Sequence, residues 1–328
     1  MLEIQNALIS GDKRISVAPM IDWTTRDYRT FARLFNPYTY LYTEMISTSA
    51  ILQGDSHHHL RFYDNEPPVV LQLGGSSPSE LALCANMGAK YDYSEINLNV
   101  GCPSDRVQHN KIGACLMAQP NLVGECVRAM QDACDIPITV KHRIGIDAFD
   151  SYEFMRDFVG ACVDAGTRHV IVHARIAWLN GLSPKENREI PPLRYDDVYR
   201  LKAEFPDLFV EINGGIKTLD EIRSHLTHVD GVMIGREAYH NPFILAQSMA
   251  LWGQDVPSRA DIFYQLLEQL KGIEQHTPLT AVVRHYLGLF QGLAGCRKWR
   301  QTLSGQKSLS LSQIEMAGLT VLKQNNLL

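Results

Sequence analysis

The residue with the clearest capacity for chemistry is Cys102, in the run Asn97-Leu98-Asn99-Val100-Gly101-Cys102-Pro103-Ser104. Gly101 and Pro103 imply a tight, exposed loop, and a thiol there can act as a nucleophile or as a proton donor. A nucleophile wants a histidine base and an oxyanion hole. A donor needs only to hold its proton over the substrate. No His/Asn partner motif accompanies the cysteine, so proton donation is the favoured role and a packed thiol the plain alternative. Cys84, Cys126, Cys134 and Cys162 fall in helical apolar patterns and read as packed thiols. The seven cysteines show no C-x-x-C and no zinc-like pairing, so no metal site is expected. His57-His58-His59 has no second cluster near it and reads as a solvated loop.

Two glycine turns, Asn213-Gly214-Gly215-Ile216 and Gly235-Arg236, each follow a short apolar run. Glycine lets backbone N–H groups approach phosphate oxygens closely, and Arg236 can add charge. Simple strand-to-helix turns would look alike in isolation. A phosphate there requires the rest of a cofactor, and Lys141 and His173, ending two other apolar runs, are suitable partners. A lysine beside an isoalloxazine stabilises the anionic reduced flavin, and Gln72 could bond a pyrimidine edge. The alternatives are an ion pair of Lys141 with Glu44 or Glu95 and a structural, hydrogen-bonded His173.

These residues must be positioned by a repeated unit. Eight apolar runs, 15–18, 40–43, 69–73, 95–98, 138–141, 169–173, 209–213 and 231–234, each end in polar or glycine residues. Helical patterns lie between them, for example at 78–88, 121–133, 151–165 and 218–226. Near-continuous apolar strands alternating with helices imply a parallel sheet covered on both faces, and eight units imply a closed α/β TIM barrel, (β/α)8. Chemistry in such barrels sits at the C-terminal strand ends, where Gln72, Cys102, Lys141, His173 and the two glycine turns fall. An open doubly wound sheet is the competitor, but its glycine fingerprint is missing after the first strand, which ends in Ala18-Pro19-Met20. From residue 241 the β pattern stops, and 242–251, 258–275, 278–293 and 311–323 read as amphipathic helices. The division expected is a barrel over 1–240 and a C-terminal helical bundle over 241–328 that leans on it.

At 328 residues, 45% hydrophobic and 20% charged, the chain can bury a large core. No apolar run approaches the roughly 20 residues of a membrane span, and no secretory leader is visible, so a cytoplasmic protein is expected. The net charge of −5 alone speaks against nucleic acid. However, residues 241–328 carry eight Lys/Arg against five Asp/Glu, which points to a tail that meets an anion. No obligate protein partner is evident.

The chain resembles the tRNA-dihydrouridine synthase family over nearly its whole length. The motifs are Ala18-Pro19-Met20, Leu41-Tyr42-Thr43-Glu44-Met45, Gln72-Leu73-Gly74-Gly75, Glu95 to Pro103, Val140-Lys141, Val172-His173-Ala174-Arg175, Asn213-Gly214-Gly215-Ile216 and Gly235-Arg236. The stretches His173 to Leu193 and Leu287 to Arg300 are similar to the A-type bacterial branch, assigned to uridines 20 and 20a of the tRNA D-loop. The resemblance implies an FMN-dependent, NADPH-consuming reduction of the uracil C5–C6 double bond, with hydride from flavin N5 to C6 and a proton from Cys102 to C5 on the opposite face. It makes Pro19, Met20, Ile21, Gln72, Lys141, His173, Asn213, Gly214, Gly215, Gly235 and Arg236 flavin partners. Asn99 would orient the base and stabilise its enolate charge.

The resemblance also makes Lys185 with Arg188, and Arg297 with Arg300, tRNA contacts that hold the RNA while its uridine is flipped out. Arg106 is a weaker candidate. His142 departs from the family's small or apolar choice and should point away from the mouth by strand alternation. Two rival functions share parts of this reading. One is a flavin barrel acting on a small pyrimidine or enone, and the other is an RNA-binding module without chemistry.

Overall fold

The computed structural model describes residues 2–104, 112–274 and 276–328. Eight parallel strands pair in chain order: β1 (Arg14–Val17), β2 (Tyr40–Ser47), β3 (Val69–Gly74), β4 (Glu95–Val100), β5 (Ile138–Arg143), β6 (His169–His173), β7 (Phe209–Asn213) and β8 (Gly231–Ile234). β8 closes on β1, which makes the TIM barrel expected from the apolar runs. Parallel strands with helical crossovers bury both faces, and this explains why they read as nearly unbroken apolar runs. Outward residues such as Ile15, Leu71, Ile96, Val140, Val172 and Ile212 are fully buried beneath the helices. Each such side chain contributes about 1.5–3 kcal/mol.

The barrel interior is a separate, smaller core of Ala18, Tyr42, Val70, Ile171 and Met233. Polar residues fill the rest of it, including Ser16, Asn97, Thr139 and Glu211. At the starts of the strands Arg14 pairs with Glu95 at 2.7 Å, and His169 lies between Glu95 (3.5 Å) and Glu211 (3.2 Å). Ser16 Oγ donates to the other Glu211 oxygen. Burial alone would raise the Glu95 carboxyl, but His169 and Arg14 bring it down to about 2.

Side-chain caps set several helix starts. Ser77 caps Pro78–Gly88, Ser151 caps Tyr152–Asp164, and Thr218 with Glu221 forms a capping box on Leu219–Leu226. β2 runs four residues beyond its expected end and carries a register shift between Tyr42 and Met45. There Thr43 Oγ1 accepts the Gln72 N–H at 2.9 Å, which satisfies the donor the bulge leaves over.

The tail contains helices Phe243–Ser248, Arg259–Glu274, Cys296–Ser304 and Leu311–Gln324. The helix expected over 278–293 does not form. Two short 3-10 turns, Leu279–Ala281 and Val283–His285, take its place and still bury Leu279, Val283, Tyr286 and Phe290. Pro278 and the glycines 288, 292 and 295 break the helix, and a side chain at Gly288 would strike the His240 carbonyl at 2.6 Å. The helix expected over 242–251 likewise ends at Ser248 and continues as a 3-10 turn to Trp252. His57 to His59 lie on a one-turn helix, Ser56–Leu60, rather than in a loop, because Asp55 caps it. Among the described residues no helix is long and apolar enough to cross a membrane.

Candidate active site

A cavity of about 430 Å³ opens at the C-terminal ends of the strands. Pro19, Met20 and Ile21 after β1, Gln72 on β3, Lys141 on β5, His173 on β6, Asn213, Gly214 and Gly215 at β7, and Gly235 and Arg236 at β8 all line it. Cys102, Asn99 and Arg188 line it too. Lys185 precedes the 3-10 turn Glu186–Arg188 in the loop after β6 and is exposed. Arg297 and Arg300 lie outside the cavity, exposed on the helix Cys296–Ser304, whose Trp299 is fully buried and edge-on to Phe290. Arg106 lies outside the described residues.

A chain of amides holds the cysteine loop. Asn97 Nδ2 donates to Thr139 (2.9 Å), Gln72 Nε2 to Asn97 (2.8 Å) and Asn99 Nδ2 to Gln72 (2.8 Å). Asn99 Oδ1 then accepts the backbone N–H groups of Gly101 (3.1 Å) and Cys102 (3.0 Å). Asn99 therefore builds the loop from within, and one of its amide hydrogens remains for a ligand. The Cys102 carbonyl accepts the Ala114 N–H at 2.9 Å, and its thiol lies 3.6 Å from Ser104 Oγ.

Among the described residues the basic groups that line the cavity outnumber the acids that line it. Lys141, Arg143, Arg188, Lys217 and Arg236 stand against a single lining carboxylate among the described residues, Glu237. Lys141 donates to Asn213 Oδ1 at 3.3 Å, while the two carboxylates considered for it are bound elsewhere, Glu95 to Arg14 and Glu44 to the Asp22 N–H. Burial, with Arg143 close by, brings the Lys141 ammonium down to about 7. Burial and the cations Arg143, Lys141, Arg175 and Arg188 push His173 well below the usual histidine range, so its ring is neutral. A site so charged favours an anion at one end and developing negative charge at the other.

The glycine rim lies at the ends of β7 and β8. Gly214 has φ +120°, and a side chain there would meet the His173 ring at 2.8 Å. Gly235 has open space where a Cβ would stand, so its backbone faces the cavity bare. Among the described residues no protein acceptor engages the N–H groups of Gly215, Gly235 or Arg236. The Arg236 guanidinium meanwhile reaches Glu189 at 2.5 Å.

Two residues that the motifs did not single out organise the rim. Arg143 is buried and donates to the carbonyls of Gly101 (3.1 Å), Ile176 (3.2 Å) and Asn187 (3.0 Å). Its place two residues after Lys141 on one strand puts both on one face, a signal the alternation of β5 already carried. Asn187 is fully buried and clasps the loop after β6 through Trp178 and Leu182. Nothing in its neighbourhood of charged residues foretold that. His142 points away from the cavity, as alternation requires, with Nδ1 2.7 Å from the Arg143 carbonyl and its ring against Phe158.

The family model described as dihydrouridine synthase (Dus) matches residues 16–324. A Pseudomonas putida protein named tRNA-dihydrouridine(20/20a) synthase is 56% identical over 296 residues, covering 89% of this chain and 88% of the relative. Relatives of the same name from Pseudomonas aeruginosa (54%) and Synechocystis sp. (53%) each cover 92% of this chain and 92% of their own length.

Proposed function

The chain belongs to the dihydrouridine synthase family, and on that premise we propose that it reduces the C5–C6 double bond of uracil in tRNA, at positions 20 and 20a of the D-loop. The observation that carries this reading is convergence: an acid-bearing loop, a buried lysine and a bare glycine rim, from different strand ends, meet in one cavity. The donor set fits FMN. The unengaged N–H groups at Gly215, Gly235 and Arg236 suit a phosphate, and Lys141 and Gln72 suit the ring edge. FMN, when bound, supplies the hydride that goes to uracil C6, with NADPH as the source of its electrons.

This chain's residues do the rest. Hydride addition drives charge onto the uracil carbonyl oxygens, and Lys141 and the free hydrogen of Asn99 oppose that charge. Cys102 then gives its thiol proton to C5, held in place by the two N–H bonds to Asn99. Lys185, Arg188, Arg297 and Arg300 hold phosphates of the RNA whose base has been everted. Residues 1–240 are thus assigned to chemistry, with Lys185 and Arg188 at its edge, and 241–328 to RNA binding.

The test is to incubate the flavin-loaded protein with NADPH and unmodified tRNA and to map dihydrouridine by position. Product at 20 and 20a is expected. Vigorous reduction of free uridine would instead favour a small-molecule reductase, and a colourless protein that takes up no FMN would favour a binding module.

A further inference from the structure

His285 lies in the tail's second 3-10 turn, Val283–His285, and is 1% exposed. The barrel engages both of its ring nitrogens. Nε2 is 3.0 Å from Thr25 Oγ1, and Nδ1 is 3.0 Å from Tyr239 Oη. Neighbouring groups decide the tautomer. Arg284 Nε donates toward Nε2 at 3.4 Å, which makes Nε2 the acceptor, and the Tyr239 hydroxyl donates to the Arg284 carbonyl at 3.4 Å. The imidazole proton is therefore on Nδ1 and is given to Tyr239. Burial, reinforced by Arg284, keeps the ring neutral by lowering it to about 4.

Tyr239 belongs to the short helix Arg236–His240 that follows the glycine rim. Its ring stacks on Trp23, with centroids 4.4 Å apart and planes at 20°. Trp23 lines the cavity, and its N–H closes the Met20 turn at 3.1 Å. Thr25, the other partner of His285, caps the helix Arg26–Arg33 two residues further on. One tail imidazole thus grips the segment after β1 twice, at Thr25 directly and at Trp23 through Tyr239.

We propose that His285 is a positioning residue through which the RNA-binding tail holds Trp23 in register on the wall of the cavity where the base is reduced. The inference rests on the reading of that cavity as the uracil site. It gives the tail a second task, since phosphate binding alone would leave the wall of the barrel indifferent to the tail.

The experiment uses the holoenzyme and three variants: His285→Ala, His285→Asn, which keeps an amide donor near the Nδ1 position, and Tyr239→Phe, which keeps the stack and loses the acceptor. Acrylamide quenching of Trp23 fluorescence, isolated by comparison with a Trp23→Phe background, reads the wall without RNA. Steady-state kinetics on tRNA reads the consequence. In His285→Ala and Tyr239→Phe, Trp23 should become several-fold more quenchable and KM for tRNA should rise several-fold, with flavin content unchanged. His285→Asn should recover most of both. In the Trp23→Phe background His285→Ala should add no further change in KM.

Unchanged quenching in both His285→Ala and Tyr239→Phe, or additive KM effects, would overturn the proposal. If His285→Ala fails to fold, Tyr239→Phe decides alone. A parent protein that makes no dihydrouridine while the quenching shift persists would remove the tRNA reading and leave the grip on Trp23 standing.

Discussion

Arg143 Nε donates to the Gly101 carbonyl at 3.1 Å, so the loop that carries Cys102 is fastened to the strand that carries Lys141. The same guanidinium also holds Ile176 and Asn187, in the loop after β6. Arg143→Met should strand three carbonyls and cost about 3–5 kcal/mol. Urea unfolding would measure that cost, and turnover should fall with it. Arg143→Lys, a point donor in place of a planar fork, should recover only part of either.

Cys102→Ala removes the proton donor and leaves the amide chain from Thr139 to Asn99 in place. Flavin content and tRNA affinity should match the parent protein, and dihydrouridine formation should drop about 100- to 10,000-fold. Unchanged turnover would assign the proton to another group.

Lys141 titrates near 7 in the fold, against 10.5 ordinarily. Below the lower value both folded and unfolded chains carry the charge, and the fold bears the whole cost of burying it. Between the two values the folded state sheds its proton first, and the cost fades. Lys141→Met has no such cost at any pH. Without flavin, the variant should melt above the parent at about pH 6.5 and lose that advantage by about pH 10.5. A constant difference across this range would show that Lys141 does not titrate there.

Arg297 and Arg300 are exposed, and Arg300 Nη1 donates to Gln291 Oε1 (2.9 Å), with Nη2 more weakly on Cys296. The double substitution to alanine should weaken tRNA binding and reduce the slope of log K against log salt by about one for each phosphate no longer neutralised. NADPH oxidation with a small electron acceptor should be unaffected. Loss of both activities together would make this helix structural.

The strand ends could be read from the chain because a parallel barrel turns burial into apolar runs and forces polar residues to their C-terminal ends. Cys102, Lys141, His173 and the glycine turns were therefore found by position as much as by type. Asn187 was not, because it grips Trp178 and Leu182 in its own loop, and a lone amide among charged residues carries no signal of burial. Strand alternation gives the face of Arg143 but not its clamp, because the carbonyls it holds lie 42, 33 and 44 residues away. The same holds for His285, whose partners lie 260 and 46 residues away. The apolar spacing of 278–293 correctly marked a buried face. It mistook the element, since Pro278 and three glycines allow burial without a continuous helix.

The charged floor of the barrel, Arg14 with Glu95, His169 and Glu211, constrains how this sequence can drift. Truncating Glu95 leaves Arg14 without the carboxylate it pairs with in the dark of the interior, so exchanges there must be made in concert or by wholesale refilling with apolar volume. Anyone transplanting the upper rim onto another scaffold inherits that choice: carry the entire circuit along, or rebuild the floor without a single ion.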